Sequence, residues 1–132
     1  MDTKPKPGEG KTCLVSHPSG RHLAILRYLL EEELGFTFIV AGDSTDLVAL
    51  FSEHEPALVV VSDDLRPENG YTTISRTRLL PGGKITKIIG LVYTNAEPGR
   101  TKELTSVGAD KVIVGLNRER LGEALQELGF IS

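Results

Sequence analysis

Five short apolar segments recur along the chain, and each is followed by a stretch whose apolar residues have helical spacing. The third segment, PALVVVS (56–62), is apolar at consecutive positions, which indicates burial on both faces. That pattern is typical of a central strand in a parallel sheet that helices cover on both sides. The other four predicted strands are KTCLVS (11–16), FTFIVA (36–41), KIIGLVY (87–93) and KVIV (111–114).

The segments after these strands predict five helices. Leu23, Leu26, Leu30 and Leu34 would share one face of the first helix, and Ser44 is the expected N-cap of the second. Regular alternation of strand and helix requires right-handed crossovers and predicts a doubly wound α/β fold. We therefore expect a five-stranded parallel sheet of the flavodoxin-like type, in a three-layer sandwich.

The composition of the chain excludes several classes of function. Lys and Arg number 15 against 18 Asp and Glu, and the net charge of −3 argues against a nucleic-acid or membrane-binding face. The single cysteine, Cys13, excludes an internal disulfide. No apolar run could span a bilayer and no signal peptide is recognisable, so we expect a cytoplasmic protein. Residues 1–10, rich in Pro, Gly and Lys, are expected to form a flexible leader to one domain over residues 11–132.

Chemistry in a sheet of this kind is expected at the carboxyl ends of the strands. The third strand ends in two adjacent carboxylates, Asp63 and Asp64. Each acid has a functional interpretation and a plain one, as a helix-capping or solvated side chain, and the plain one is favoured for Asp64. His17 follows the first strand and is a candidate partner of Asp63 for a softer divalent ion, although two ligands make a poor metal site.

Three longer stretches, EHEPALVVVSDDLRP (53–67), SVGADKVIV (106–114) and LLEEELGFTFIVAGDSTDLVALF (29–51), together resemble the receiver domain of two-component response regulators. EHEPALVVVSDDLRP (53–67) matches the third strand and its loop in that family, and SVGADKVIV (106–114) matches the approach to the fifth strand. LLEEELGFTFIVAGDSTDLVALF (29–51) matches the first helix, second strand and second helix. The resemblance covers residues 11 to 128 and implies a signalling module.

The resemblance also assigns the receiver site residue by residue. Asp63 takes the position of the phosphoacceptor, because Pro67 follows it by four residues, and Asp64 becomes an accessory acid. The acidic pair that holds Mg²⁺ in the family falls on Ser16 and His17, neither of which is a carboxylate.

Two further receiver positions lie after the fourth and fifth strands. The hydroxyl residue of the switch falls on Thr94 if this chain is one residue shorter there, or on Tyr93 without a gap. The lysine that follows the fifth strand in the receiver family falls on Gly115, so this chain lacks the cation of that lysine. Phosphoryl transfer depends on cancelling charge at the transferred group, and loss of one such partner costs about 2.7–4 kcal/mol of transition-state stabilisation.

The function predicted from these losses is that of a pseudo-receiver, which acts by protein–protein interaction with impaired or absent Mg²⁺-dependent aspartyl phosphorylation. We expect no enzymatic activity, no cofactor and only weak Mg²⁺ binding. The family's partner face, formed by the fourth helix, fifth strand and fifth helix, would here include Arg100, Lys102, Arg118 and Arg120. A protein of a signalling pathway, or a second copy of the chain in a homodimer, would bind that face.

Two alternatives remain open. One is a receiver that does accept a phosphoryl group from a histidine kinase on Asp63. The other is a cobalamin-type or other small-ligand domain, since His17 and Gly20 match half of the cobalamin pattern; Val15, however, stands where its Asp should be.

Overall fold

The computed structural model describes residues 5–132, and five strands alternate with five helices in it. The first helix continues into a π-helical turn over Tyr28–Glu33. The strands are β1 (Thr12–Ser16), β2 (Thr37–Val40), β3 (Leu58–Ser62), β4 (Lys87–Val92) and β5 (Lys111–Val114). The helices are α1 (Gly20–Arg27), α2 (Ser44–His54), α3 (Gly70–Leu79), α4 (Arg100–Ser106) and α5 (Arg118–Glu127).

All strand pairs are parallel, in the order β2-β1-β3-β4-β5. This is the flavodoxin-type order, so the predicted doubly wound fold is confirmed. Every residue of β3 is buried, as the consecutive apolar positions of that segment predicted. The central position of β3 places the residues that follow it, Asp63 and Asp64, in the middle of the carboxyl edge.

Each face of the sheet carries its own apolar layer. Leu26 of α1 and Leu121 of α5 pack with Val15 on one face, while Leu47 of α2 and Ile74 of α3 pack on the other. Cys13 is fully buried in the first layer, and its burial raises the pKa of the thiol to about 12. A thiol of that kind is a core side chain, as the sequence predicted.

The predicted N-cap of α2 was wrong by one residue. Asp43, not Ser44, caps the helix, and its carboxylate accepts the N–H of Asp46 at 2.8 Å. Both residue types cap well, and the extended backbone of Asp43 is what directs its side chain to that N–H. Ser44 is buried, and its Oγ accepts the N–H of Glu68 at 3.0 Å.

The predicted flexible leader over residues 1–10 falls partly outside the described residues, since residues 1–4 are not described. In the remainder, Gly8 is buried and its N–H donates to the Leu34 carbonyl at 2.7 Å. Lys6 Nζ donates to the Glu32 carbonyl at 2.9 Å. Within residues 5–132, no helix combines the length and apolar composition that a bilayer span requires.

Candidate functional site

An ion pair lies at the centre of the carboxyl edge of the sheet. Arg100 Nε donates to Asp63 Oδ2 at 3.0 Å, and Arg100 Nη2 donates to Asp63 Oδ1, so both carboxylate oxygens are engaged. The two side chains are only 18% and 19% exposed. The hydrogen bond to Asp63 raises the pKa of Arg100 above its ordinary value. A paired, two-pronged arrangement of this kind is the strongest form of arginine–carboxylate contact.

Local sequence brings both partners to this place. Asp63 directly follows β3, and the start of α3 closes over its backbone: the Gly70 N–H donates to the Asp63 carbonyl at 2.9 Å. A Cβ on Gly70 would lie 2.8 Å from Asp63 Cα, so only glycine permits this approach. Arg100 is the first residue of α4, after Gly99 at φ +95°, and its Nη1 also donates to Glu103 Oε2 at 2.7 Å.

Asp64 contacts different residues from those that Asp63 contacts. Its Oδ1 accepts the hydroxyl of Ser62, the last residue of β3. Burial raises the pKa of the Tyr93 phenol above its ordinary value, and the Asp64 carboxylate beside it adds to that increase. Asp64 therefore faces the tyrosine after β4, whereas Asp63 faces α4.

The two residues at the acidic-pair position are both buried. Ser16 Oγ donates to the Ala41 carbonyl at 2.9 Å. His17 accepts the Ser19 N–H on Nδ1 at 3.0 Å, so the neutral ring carries its proton on Nε2. Burial and the neighbouring His22 imidazole lower the pKa of His17 to about 4.

The rings of His22 and Tyr93 pack against the His17 imidazole. The His17 and His22 imidazoles are stacked, with centroids 4.5 Å apart and planes 5° from parallel. The Tyr93 ring meets both of them edge-on, at 5.9 Å and 5.6 Å. Parallel, stacked imidazoles cannot both direct a nitrogen lone pair at one ion between them. Within residues 5–132, no group of three or more His, Cys, Asp or Glu side chains is placed to hold a metal.

Gly115, to which the resemblance assigns the lysine position, has a left-handed backbone. Its φ is +75°, and a Cβ there would lie 2.7 Å from Thr94 Cγ2 and 2.9 Å from Arg120 Nη1. The same Arg120 Nη1 donates to the Gly115 carbonyl at 2.9 Å. A small cavity of about 150 Å³ lies beside it, and its lining includes His17, His22, Ser62, Tyr93, Thr94 and Gly115.

The four residues predicted for a partner face differ in exposure and in the groups that they contact. Lys102 is exposed on α4. Arg118 pairs with Glu33 at 2.5 Å, joining α5 to the π-helical turn. Arg120 bonds to backbone carbonyls at the end of β5. Arg100 points inward to Asp63.

Sequence reasoning missed Arg100 as a member of the site. It named the residue only as part of a partner face. The available signal was its place at the start of the helix that follows β4, because β3 and β4 are neighbours and their carboxyl ends open on the same edge. A cation there is within reach of a carboxylate that follows β3.

Comparison with known proteins supports the fold. The chemotaxis response regulator CheY4 of Vibrio cholerae matches with a TM-score of 0.79 at 21% identity, over 89% of this chain and 98% of that one. The receiver domain of the DNA-binding response regulator merR from Colwellia psychrerythraea 34H also matches at 0.79, with 16% identity, over 89% and 97%.

A third structure is the receiver domain of the sensor histidine kinase PA1611 from Pseudomonas aeruginosa PAO1, with a magnesium ion coordinated in its active site cleft. It matches with a TM-score of 0.77 at 18% identity, over 89% of this chain and 96% of that one. No model of a known protein family matches the chain, and no curated protein matches it. The chain therefore has the fold of response-regulator receiver domains, and the resemblance is confirmed at that level.

Proposed function

We propose that this chain is a receiver-type signalling module that works by protein–protein contact, without Mg²⁺-dependent phosphorylation of Asp63. The observation that carries the proposal is the Arg100–Asp63 ion pair. An aspartate whose two oxygens both accept bonds from a guanidinium is already neutralised by an internal cation. The guanidinium withdraws negative charge from both oxygens and so weakens them as nucleophiles toward a phosphoryl group.

The charges expected around a phosphoryl group are also missing. Ser16 and His17 supply no carboxylate, the Ser16 hydroxyl is bonded to a carbonyl, and the His17 Nδ1 is bonded to a backbone N–H. Mg²⁺ requires several oxygen ligands in near-octahedral geometry. With Asp63 paired to Arg100, these residues do not fit a magnesium ion.

The lysine position is closed for a steric reason. Gly115 has a left-handed backbone, and Thr94 and Arg120 fill the space into which a side chain would grow. Replacing Gly115 with Lys would add a cation only by displacing these neighbours. The loss of the lysine is thus built into the packing around β5.

Backbone amide NMR tests the proposal most directly. The protein is titrated with Mg²⁺ and then with beryllofluoride, which mimics an aspartyl phosphate, beside the variants Asp63→Asn and Arg100→Gln. We expect the wild-type amides of Asp63, Thr94 and Gly115 to stay unchanged, as in Asp63→Asn. Arg100→Gln shows whether the guanidinium alone blocks the carboxylate.

Three results of this titration distinguish a working phosphoacceptor from a blocked one. Saturable shifts at these amides in the wild-type protein, absent in Asp63→Asn, would establish a working phosphoacceptor. A response in Arg100→Gln alone would retain the proposal and identify the ion pair as the block. No response in any variant would assign the block to the missing acidic pair and lysine as well.

We propose that the protein partner binds the surface formed by α4, β5 and α5. β5 is an edge strand, and Val114 on it is 41% exposed. Arg120 of α5 donates to the Val114 carbonyl at 3.0 Å, and Lys102 is exposed on α4. A second copy of the chain is the occupant that can be tested at once, by sedimentation velocity over a range of concentrations. Lys102→Glu should weaken a dimer formed through this face, whereas Lys84→Glu, on the α3–β4 loop, should leave it intact.

A further inference from the structure

A wide cleft lies at the opposite, amino-terminal end of the sheet. Its volume is about 660 Å³, within the range of roughly 300–1,000 Å³ that is usual for small-molecule sites. The end of α2, the α3–β4 loop, the start of β1 and the turn after α5 surround it. Phe51, Leu128 and Phe130 supply apolar lining, and Ile85 lies at the mouth with 84% of its surface exposed.

The charges of this cleft differ from those of the chain as a whole. Lys11 and Lys87 line it, together with one described carboxylate, that of Glu55. Lys11 Nζ donates to the Pro7 carbonyl at 3.2 Å, a contact that leaves its charge uncompensated. Within residues 5–132, neither ammonium group lies within salt-bridge distance of a carboxylate. In a protein of net charge −3, two such cations beside an apolar floor favour an anionic occupant.

The loop that carries Ile85 is anchored by Arg78 and by Thr86, whose Oγ1 donates to the Pro56 carbonyl at 3.0 Å. Arg78 Nη1 donates to the carbonyls of Gly83 at 2.7 Å and Thr86 at 2.6 Å. Its Nη2 donates to the Gly108 carbonyl at 2.6 Å and to Asp110 Oδ2 at 2.8 Å. Because the carbonyls on both sides of Ile85 are bonded to Arg78, the backbone of this residue is held in place, which lowers the entropy cost of binding against it.

We propose that this cleft binds an amphipathic organic anion, a small molecule with an apolar body and a carboxylate or similar head group. The apolar body would lie against Phe51, Phe130 and Ile85, with the head group towards Lys87 and Lys11. The site is separate from Asp63, and it stands or falls independently of the function proposed above.

A pair of fluorescent probes tests both halves of this chemistry. Anilinonaphthalene sulfonate has an apolar body and an anionic group, and N-phenylnaphthylamine is nearly the same molecule without the sulfonate. We expect the folded protein to bind one sulfonate probe, more tightly than the neutral one. Binding should shift the amide NMR signals of Gly10, Gly82 and Gly129, which line the cleft, and leave that of Gly115 unchanged.

Two charge-reversal variants, one at the first residue of β4 and one on the loop before it, provide the matched control. Lys87→Glu should weaken the sulfonate probe by about fivefold or more, since a partly exposed ion pair contributes about 1 kcal/mol, and should leave the neutral probe unaffected. Lys84→Glu makes the same charge change outside the lining, and should alter neither probe. Ile85→Ser should weaken both probes.

Three results would overturn the proposal. The first is no binding, or shifts spread over the whole chain. The second is an equal loss of the sulfonate probe in Lys87→Glu and Lys84→Glu, which would reflect net charge alone. The third is equal affinity for the two probes, which would mean that the cleft takes apolar bodies without selecting an anionic head group.

Discussion

Each end of the sheet contains a largely buried arginine paired with an aspartate, but the two arginines bond to different kinds of group. At the amino end, Arg78 donates mostly to backbone carbonyls, those of Gly83, Thr86 and Gly108, besides Asp110. At the carboxyl end, Arg100 donates to carboxylate side chains only, those of Asp63 and Glu103.

This difference separates a structural arginine from one that can exchange partners. Backbone carbonyls cannot turn away without moving the loop, so the contacts of Arg78 persist as long as the loop does. Carboxylate side chains can rotate, so the Arg100–Asp63 pair can separate while the fold remains intact. The end where receiver chemistry is expected is therefore closed by a reversible contact, and the other end is an open cleft with a fixed wall.

Replacing the structural arginine, Arg78, should have the largest effect on stability. Arg78→Ala should lower the free energy of unfolding by about 4 kcal/mol, because it leaves three buried or half-buried carbonyls without this donor. It also removes the cation from Asp110, which keeps only the Ile88 N–H. Urea denaturation measures the loss. The control is Arg76→Ala on the same helix, whose side chain is 61% exposed and pairs with Glu68, and which should cost less than about 1 kcal/mol. Equal losses in the two variants would remove the distinction.

The next largest expected effect is a pH dependence of the free energy of unfolding, caused by the buried His17 imidazole. His17 has a pKa of about 4 in the folded chain against an ordinary value of 6.5, so between these values the unfolded state binds more protons. The free energy of unfolding should thus fall as the pH is lowered from about 6.5 to about 4, by up to about 3 kcal/mol.

Denaturation curves across that pH range check this linkage. His17→Gln should flatten the dependence, because the titrating group is gone. His54→Gln, at an exposed position on the other end of the sheet, should leave the dependence in place. The same slope in His17→Gln as in the wild type would mean that a different group causes it.

The smallest effect concerns the exchangeable pair itself. A double-mutant cycle with Asp63→Asn and Arg100→Gln should give a coupling free energy of about 2 kcal/mol, since both side chains are less than one-fifth exposed. Strictly additive losses would mean that the pair is absent in solution. The Arg100–Glu103 contact, with Glu103 51% exposed, should contribute less in the same type of cycle.

Several features of the molecule could be predicted from local pattern. The alternation of apolar strands with helical segments gave the sheet, and the run at Leu58–Ser62 gave its central strand. The strand ends marked the edge where chemistry is expected, and the resemblance to receiver domains assigned the acceptor position to Asp63 and the missing charges to Ser16, His17 and Gly115; these assignments stay predictions. The N-cap at Asp43 was missed because two adjacent residues had equal capping ability.

The tertiary structure alone decided which groups meet. Arg100 and Asp63 are 37 residues apart, and their pairing depends on where the β4–α4 loop sets the first turn of α4. Likewise, the stacking of His17 on His22, and a cleft formed from four separate segments, depend on how the chain packs. Periodicity reports which face of an element is buried, since burial acts along one element. It carries no information about the distance between two side chains on different elements, and that distance determines whether Asp63 is a free carboxylate or one half of an ion pair.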